Sequence, residues 1–123
     1  MDQAALAVDD FTQAISLNAK LVAAYGGRGL AYTSLGKYAL ALDDYAHALT
    51  VDPKDATIYN NRGITYATQG DQPRAVAEYS QAIALNPLYA EAYNNRGIAQ
   101  AELGNLDQAI TDYGQALALN PRY

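Results

Sequence analysis

His47 is the only histidine of the chain, and Asp43 precedes it by one helical turn, so the pair could offer two metal ligands from one helix face. A metal site needs three or four convergent ligands, and this pair reads instead as solvated helix surface. The carboxylates of Asp9, Asp10, Asp43, Asp44, Glu78 and Asp112 are the next candidates, as general acids and bases. They recur at a long, regular spacing, which separates them, whereas an acid and a base must converge on one substrate. There is no cysteine, no nucleophile beside a base and no glycine loop suited to phosphate. The residues therefore predict a protein that is not an enzyme, with no cofactor and no metal.

The chemistry that remains is pairing and recognition. Arg28, Arg62 and Arg96 recur in step with Asp44, Glu78 and Asp112, which predicts a ladder of arginine–carboxylate pairs between neighbouring helices. Of the eleven tyrosines, Tyr25, Tyr32, Tyr45, Tyr59, Tyr66, Tyr79, Tyr93 and Tyr113 occupy recurring positions, which predicts core packing with the hydroxyl at an edge. Paired asparagines recur as well, at Asn60-Asn61 and Asn94-Asn95.

What positions these groups is a repeat of 34 residues. The stretch Ala56 to Tyr89 is followed by Ala90 to Tyr123 with Tyr59/Tyr93, Asn60/Asn94, Asn61/Asn95, Arg62/Arg96, Gly63/Gly97, Gly70/Gly104, Ala75/Ala109, Tyr79/Tyr113 and Asn86-Pro87/Asn120-Pro121 in register. Such a period implies a solenoid, whose units bury their apolar faces only by stacking. The spacing of Tyr59, Gly63, Tyr66, Gly70, Ala75, Tyr79, Ala82 and Pro87 resembles the tetratricopeptide repeat, with Tyr where that family often has Trp. The resemblance implies an all-α, right-handed α-solenoid of antiparallel helix pairs. It reads as a single array over 1–123, with a partial unit at 1–21 and full units at 22–55, 56–89 and 90–123.

Seven helices are predicted, over 3–18, 22–35, 38–50, 56–69, 72–84, 90–103 and 106–119. Gly36, Gly70 and Gly104 should end the first helix of each unit in left-handed caps, with Asp71 and Asn105 capping the helices that follow. Gly29, Gly63 and Gly97 should let helices approach against Ala41, Ala75 and Ala109, with Phe11, Tyr45, Tyr79 and Tyr113 filling space toward the next unit. The first helix ends at Asn18-Ala19 rather than at the Asx-Pro of later units. Gly26 and Gly27 stand where later units have asparagine, and each is expected to loosen its helix by about 1 kcal/mol, so that asparagine at both should raise stability.

By the same resemblance, the first helix of each unit lines a concave groove, formed here by Leu30, Asn60, Asn61, Ile64, Asn94, Asn95 and Ile98 together with Gly26, Gly27, Thr33, Ser34, Ala67, Thr68, Ala101 and Glu102. That set is polar and nearly uncharged, and its amides suit the backbone of an extended peptide. Tyr59-Asn60-Asn61-Arg62 resembles the middle of the carboxylate clamp of co-chaperone members. Gly26, Leu30, Glu91 and Asn95 replace the other clamp residues, and Glu91 would repel a carboxylate.

The charge of −5 and the dispersed basic residues exclude a nucleic-acid partner, and no apolar run is long enough to span a membrane. The first residues lack the pattern of a signal peptide, which favours the cytoplasm for a chain that could itself be a fragment. The expected function is a scaffold that holds a peptide or a partner protein. The alternative is homo-oligomerisation through Ile110, Tyr113 and Leu117 on the last helix.

Overall fold

The computed structural model describes residues 2–123, and among them every regular element is helical. The helices are α1 (Gln3–Leu17), α2 (Val22–Ser34), α3 (Tyr38–Val51), α4 (Ala56–Thr68), α5 (Gln72–Leu85), α6 (Ala90–Glu102) and α7 (Leu106–Leu119). Within units α2 packs on α3, α4 on α5 and α6 on α7, while α1 packs on α2, α3 on α4 and α5 on α6. α2 also touches α4 and α4 touches α6, so the first helices of successive units run side by side.

Local chemistry explains the boundaries. Gly36, Gly70 and Gly104 have φ of 74°, 85° and 83°, a region open to glycine at little steric cost. Each follows its helix in a Schellman arrangement: the Gly36 N–H donates to the Thr33 carbonyl at 3.0 Å and the Lys37 N–H to the Tyr32 carbonyl at 2.8 Å. Asp71 caps α5 by accepting from the Arg74 N–H at 3.2 Å, and Pro73 stands in the first turn. Asn105 departs from expectation, since its side chain donates to Gln100 Oε1 at 2.8 Å and makes no cap.

The turns between units are made by the Asx side chain. Asp52, Asn86 and Asn120 each accept from the N–H two residues on, and Asn18 does the same with Lys20 at 3.0 Å, although no proline follows it. Proline reinforces the turn at the later sites, and asparagine alone suffices at the first.

The core alternates small residues with rings. Ala41, Tyr45, Ala48 and Ile58 are almost wholly buried, and so are Ala75, Tyr79 and Ala82 one unit later. A Cβ at Gly63 would come within 2.5 Å of the Tyr79 ring, and one at Gly97 within 2.7 Å of Tyr113. These glycines thus face the ring of their own unit, and Gly97 also faces Ala109 as expected. Tyr45 also reaches the following unit at Ile58 and Thr65, and Tyr79 at Ala99, as expected. Phe11 does the same: its ring occupies the space a Cβ of Gly27 would take, and Ile58 fills the same role at Gly26. This counts against the expectation that asparagine at both positions would stabilise α2, since a side chain at Gly27 must displace the half-buried Phe11 ring and one at Gly26 the tip of Ile58.

Candidate functional site

Two polar systems run along the stack. One is the arginine ladder. Arg28 donates to Asp44 through Nε at 2.9 Å and Nη2 at 2.7 Å, Arg96 to Asp112 at 2.9 and 2.8 Å, and Arg62 to Glu78 at 2.7 Å. Asp44 and Asp112 are buried, so each removes a carboxylate from water only because a guanidinium meets it in two places. Those hydrogen bonds outweigh desolvation and hold the Arg28 and Arg96 guanidinium groups above the ordinary arginine value. Tyr25, Tyr59 and Tyr93 lie under the same guanidinium groups, 5.5–5.7 Å from ring centroid to Cζ. The ladder is therefore committed to structure. Of the recurring tyrosines, Tyr25, Tyr45 and Tyr79 are buried, while Tyr32, Tyr59, Tyr66, Tyr93 and Tyr113 are half-buried.

The other system lies on the face shared by α2, α4 and α6. Three recesses follow one another there. The first, about 410 Å³, is lined by Gly26, Gly27, Leu30, Ile58 and Asn61, with Asp55 and Thr57 at the start of α4 and Tyr89 and Glu91 at the start of α6. A second, about 530 Å³, lies among Leu30, Thr33, Ser34, Tyr38, Ile64 and Thr68. The third, about 310 Å³, is formed by Ile64, Ala67, Thr68, Gln72, Tyr79, Asn95, Ile98, Ala99 and Glu102. Leu30 joins the first to the second, and Ile64 joins the second to the third, so the recesses form one groove.

Leu30, Asn61, Ile64, Asn95 and Ile98 of the expected groove set line these recesses, whereas Asn60 and Asn94 do not. Asn60 is fully buried, and its Oδ1 accepts from Asn95 Nδ2 at 3.2 Å. It joins neighbouring units and offers no groove surface. Asn61 is only 6% exposed and donates to the Gly26 carbonyl at 3.4 Å, which removes the one matching residue of a carboxylate clamp from service.

Two further expectations change. The groove is not nearly uncharged: Asp55, Glu91 and Glu102 line it, and no lysine or arginine does. Tyr38 and Gln72, from the second helices, and Tyr89, from a turn, also line it and were not in the expected set. A sequence signal existed for Gln72, because the repeat places Tyr38, Gln72 and Leu106 in one register position that varies sharply in polarity.

Elsewhere, the His47 ring stacks on Tyr25 with centroids 4.4 Å apart, and among the described residues no three His, Cys, Asp or Glu side chains gather as a metal site. No helix among them is long and apolar enough to cross a membrane. On α7, Ile110 and Leu117 are 67% and 44% exposed, while Tyr113 is half-buried with its ring over Gly97.

A family profile described as TPR repeat matches residues 29–70 and 65–104, and one described as tetratricopeptide repeat matches 90–123. No curated protein matches the chain. Among solved structures, TTC0263, a thermophilic TPR protein of Thermus thermophilus, superposes with a TM-score of 0.86 at 25% identity over 93% of this chain. The chain spans 64% of the length of that protein. The first TPR domain of human RPAP3 gives 0.80 at 31% identity, covering 84% of this chain and 81% of that one. The first TPR of Spaghetti (RPAP3), bound to the HSP90 peptide SRMEEVD, gives 0.78 at 31% identity, covering 83% and 81%.

Proposed function

This chain belongs to the tetratricopeptide repeat family, whose domains typically mediate protein–protein interaction, and we propose that it holds an extended peptide segment of a partner protein in the groove of α2, α4 and α6. The carrying observation is the continuity of the three recesses through Leu30 and Ile64, along the face where first helices adjoin. Extended chains suit such a surface, because side chains enter successive recesses while groove amides and hydroxyls meet the backbone. A structural relative that carries a bound peptide supports the same reading. The charged clamp for an acidic tail is not carried over, since Asn61 is engaged and carboxylates face the groove.

The test is amide chemical-shift mapping with mixed peptide pools. Shifts concentrated on α2, α4 and α6, and lost in Ile98→Asp, support the groove. Ile98 is 48% exposed, so this substitution leaves the core intact. No shifts at millimolar peptide, or shifts confined to α3, α5 and α7, would refute it.

A second reading rests on α7, where Leu106, Ile110 and Leu117 are 61%, 67% and 44% exposed. A second copy of the chain covering this surface would give a homo-oligomer. Sedimentation should then show concentration-dependent association that Ile110→Glu abolishes, and a monomer at all concentrations would rule it out.

A further inference from the structure

We infer that the recess between α4 and α6 is a side-chain subsite for a lysine or arginine of the bound peptide, with Gln72 Oε1 and the Tyr79 hydroxyl as hydrogen-bond acceptors and Glu102 supplying the opposing charge. This rests on the groove reading above and adds the chemistry of its ligand.

The two acceptors are unused by the fold. The Gln72 amide is oriented by its nitrogen, which donates to the Ala67 carbonyl at 3.5 Å, and this leaves Oε1 buried with no partner among the described residues. Tyr79 is only 3% exposed, lines the recess, and its hydroxyl likewise has no partner among the described residues, whereas the equivalent Tyr45 hydroxyl meets Thr65 at 3.1 Å. The buried Gln72 acceptor without a donor is costly, and a ligand donor relieves that cost, while the Tyr79 hydroxyl at the recess is free to accept as well. Two acceptors in one recess of about 310 Å³ therefore ask for an N–H-rich group.

The walls select the rest of the side chain. Ile64, Ala67, Ile98 and Ala99 present apolar surface to the recess, which suits the methylene stem of lysine or arginine. Charge decides between a cation and a neutral amide or alcohol. Glu102 lines this recess, Asp55 and Glu91 line the first, and nothing cationic lines any of the three. An incoming cation is attracted along the groove, and an incoming carboxylate is repelled.

The experiment titrates the 123-residue protein into four fluorescein-labelled decapeptide pools on an alanine–serine background, with lysine, arginine, norleucine or glutamate fixed at the centre. The cationic pools should bind about tenfold tighter than norleucine, with glutamate weakest. General attraction to a protein of net charge −5 must be separated from the subsite, so the same titration uses Gln72→Leu and Tyr79→Phe, which keep the charge. Both should bring the cationic pools down to the norleucine level, and Gln72→Glu should strengthen them. A lysine preference that survives both neutral variants overturns the subsite. Equal binding of lysine and norleucine pools, with shifts on α2, α4 and α6, overturns it too while leaving the groove standing. If no pool shifts those helices in a folded protein, the groove reading fails as well.

Discussion

The two junctions between full units share a backbone plan and differ in how they are filled. Where α2 meets α4, Thr33 Oγ1 and Thr65 Oγ1 lie 2.7 Å apart, Tyr45 reaches Thr65 at 3.1 Å, and Thr33 donates back to the Gly29 carbonyl. All three side chains are buried and partnered. Where α4 meets α6, the same register positions hold Ala67 and Ala99, the Tyr79 hydroxyl has no partner among the described residues, and a recess opens beside it. A recess borders each junction, and replacing two threonines with two alanines thus turns a closed hydrogen-bond network into an open one with an unpartnered hydroxyl. A repeat protein can acquire a site in this way without changing its fold, because each unit supplies the same scaffold and only the fillings vary.

The largest expected effect strikes the closed junction. Thr65→Val preserves shape but strips the Tyr45 hydroxyl of its partner in a buried site, while Thr33 keeps the Gly29 carbonyl. Leaving a buried group unsatisfied costs about 2 kcal/mol. Urea unfolding should show that loss, and a loss below about 0.5 kcal/mol would mean the network contributes nothing beyond packing.

Converting the open junction into the closed one is the reciprocal step. Ala67→Thr with Ala99→Thr installs the missing hydroxyls beside Tyr79, where the recess leaves space for them. One or two new hydrogen bonds should add about 1 kcal/mol of stability, and the filled recess should lose affinity for a peptide side chain. A destabilised double variant would show that the two junctions differ in backbone spacing as well as in filling.

This contrast also marks what was legible beforehand. The repeat placed all the helices within about one residue, because glycine caps, Asx turns and an apolar period recur in each unit and local chemistry decides them. The arginine ladder was legible for the same reason. The groove was legible only in part. Asn60 and Asn61 sit on the face turned toward neighbouring units, yet helical spacing cannot tell a residue pressed against the next unit from one open to a ligand. Gly27 looked like a weak point, and only the Phe11 ring from another helix explains it. Gln72 was missed because it comes from a second helix, which the groove borrows only where two units meet.

Removing single hydroxyls sharpens the comparison further. Tyr45→Phe should cost about 1 kcal/mol, since Thr65 loses a partner and keeps only Thr33 and the Asn61 carbonyl. Tyr79→Phe removes a hydroxyl that bonds to nothing among the described residues, and the ring over Gly63 is retained. Its melting should stay within about 0.5 kcal/mol of the parent, or rise. Equal losses at the two sites would erase the distinction between a locked and an open junction.

The smallest effect appears only in alkali. Burial raises the Tyr79 hydroxyl above the ordinary tyrosine value, with the Glu91 charge adding to it. Burial raises Tyr45 as well, but the neighbouring Thr65 and Thr33 hydroxyls act in the opposite direction. A tyrosine whose folded value is raised binds its proton more tightly folded than unfolded. Its contribution is therefore whole below the ordinary value of about 10 and is lost as pH climbs from there toward the folded value, because the unfolded chain ionises first. The direction is the same at both junctions, and the stronger dependence belongs to Tyr79, where no hydroxyl stabilises a phenolate. Tyr79→Phe should consequently flatten the fall in stability between about pH 10 and pH 12 more than Tyr45→Phe does, when urea midpoints are compared across that interval. Identical alkaline slopes in the two variants would show that the Thr33 and Thr65 hydroxyls leave the proton affinity of Tyr45 untouched, and the chemical difference between the junctions would reduce to one of shape.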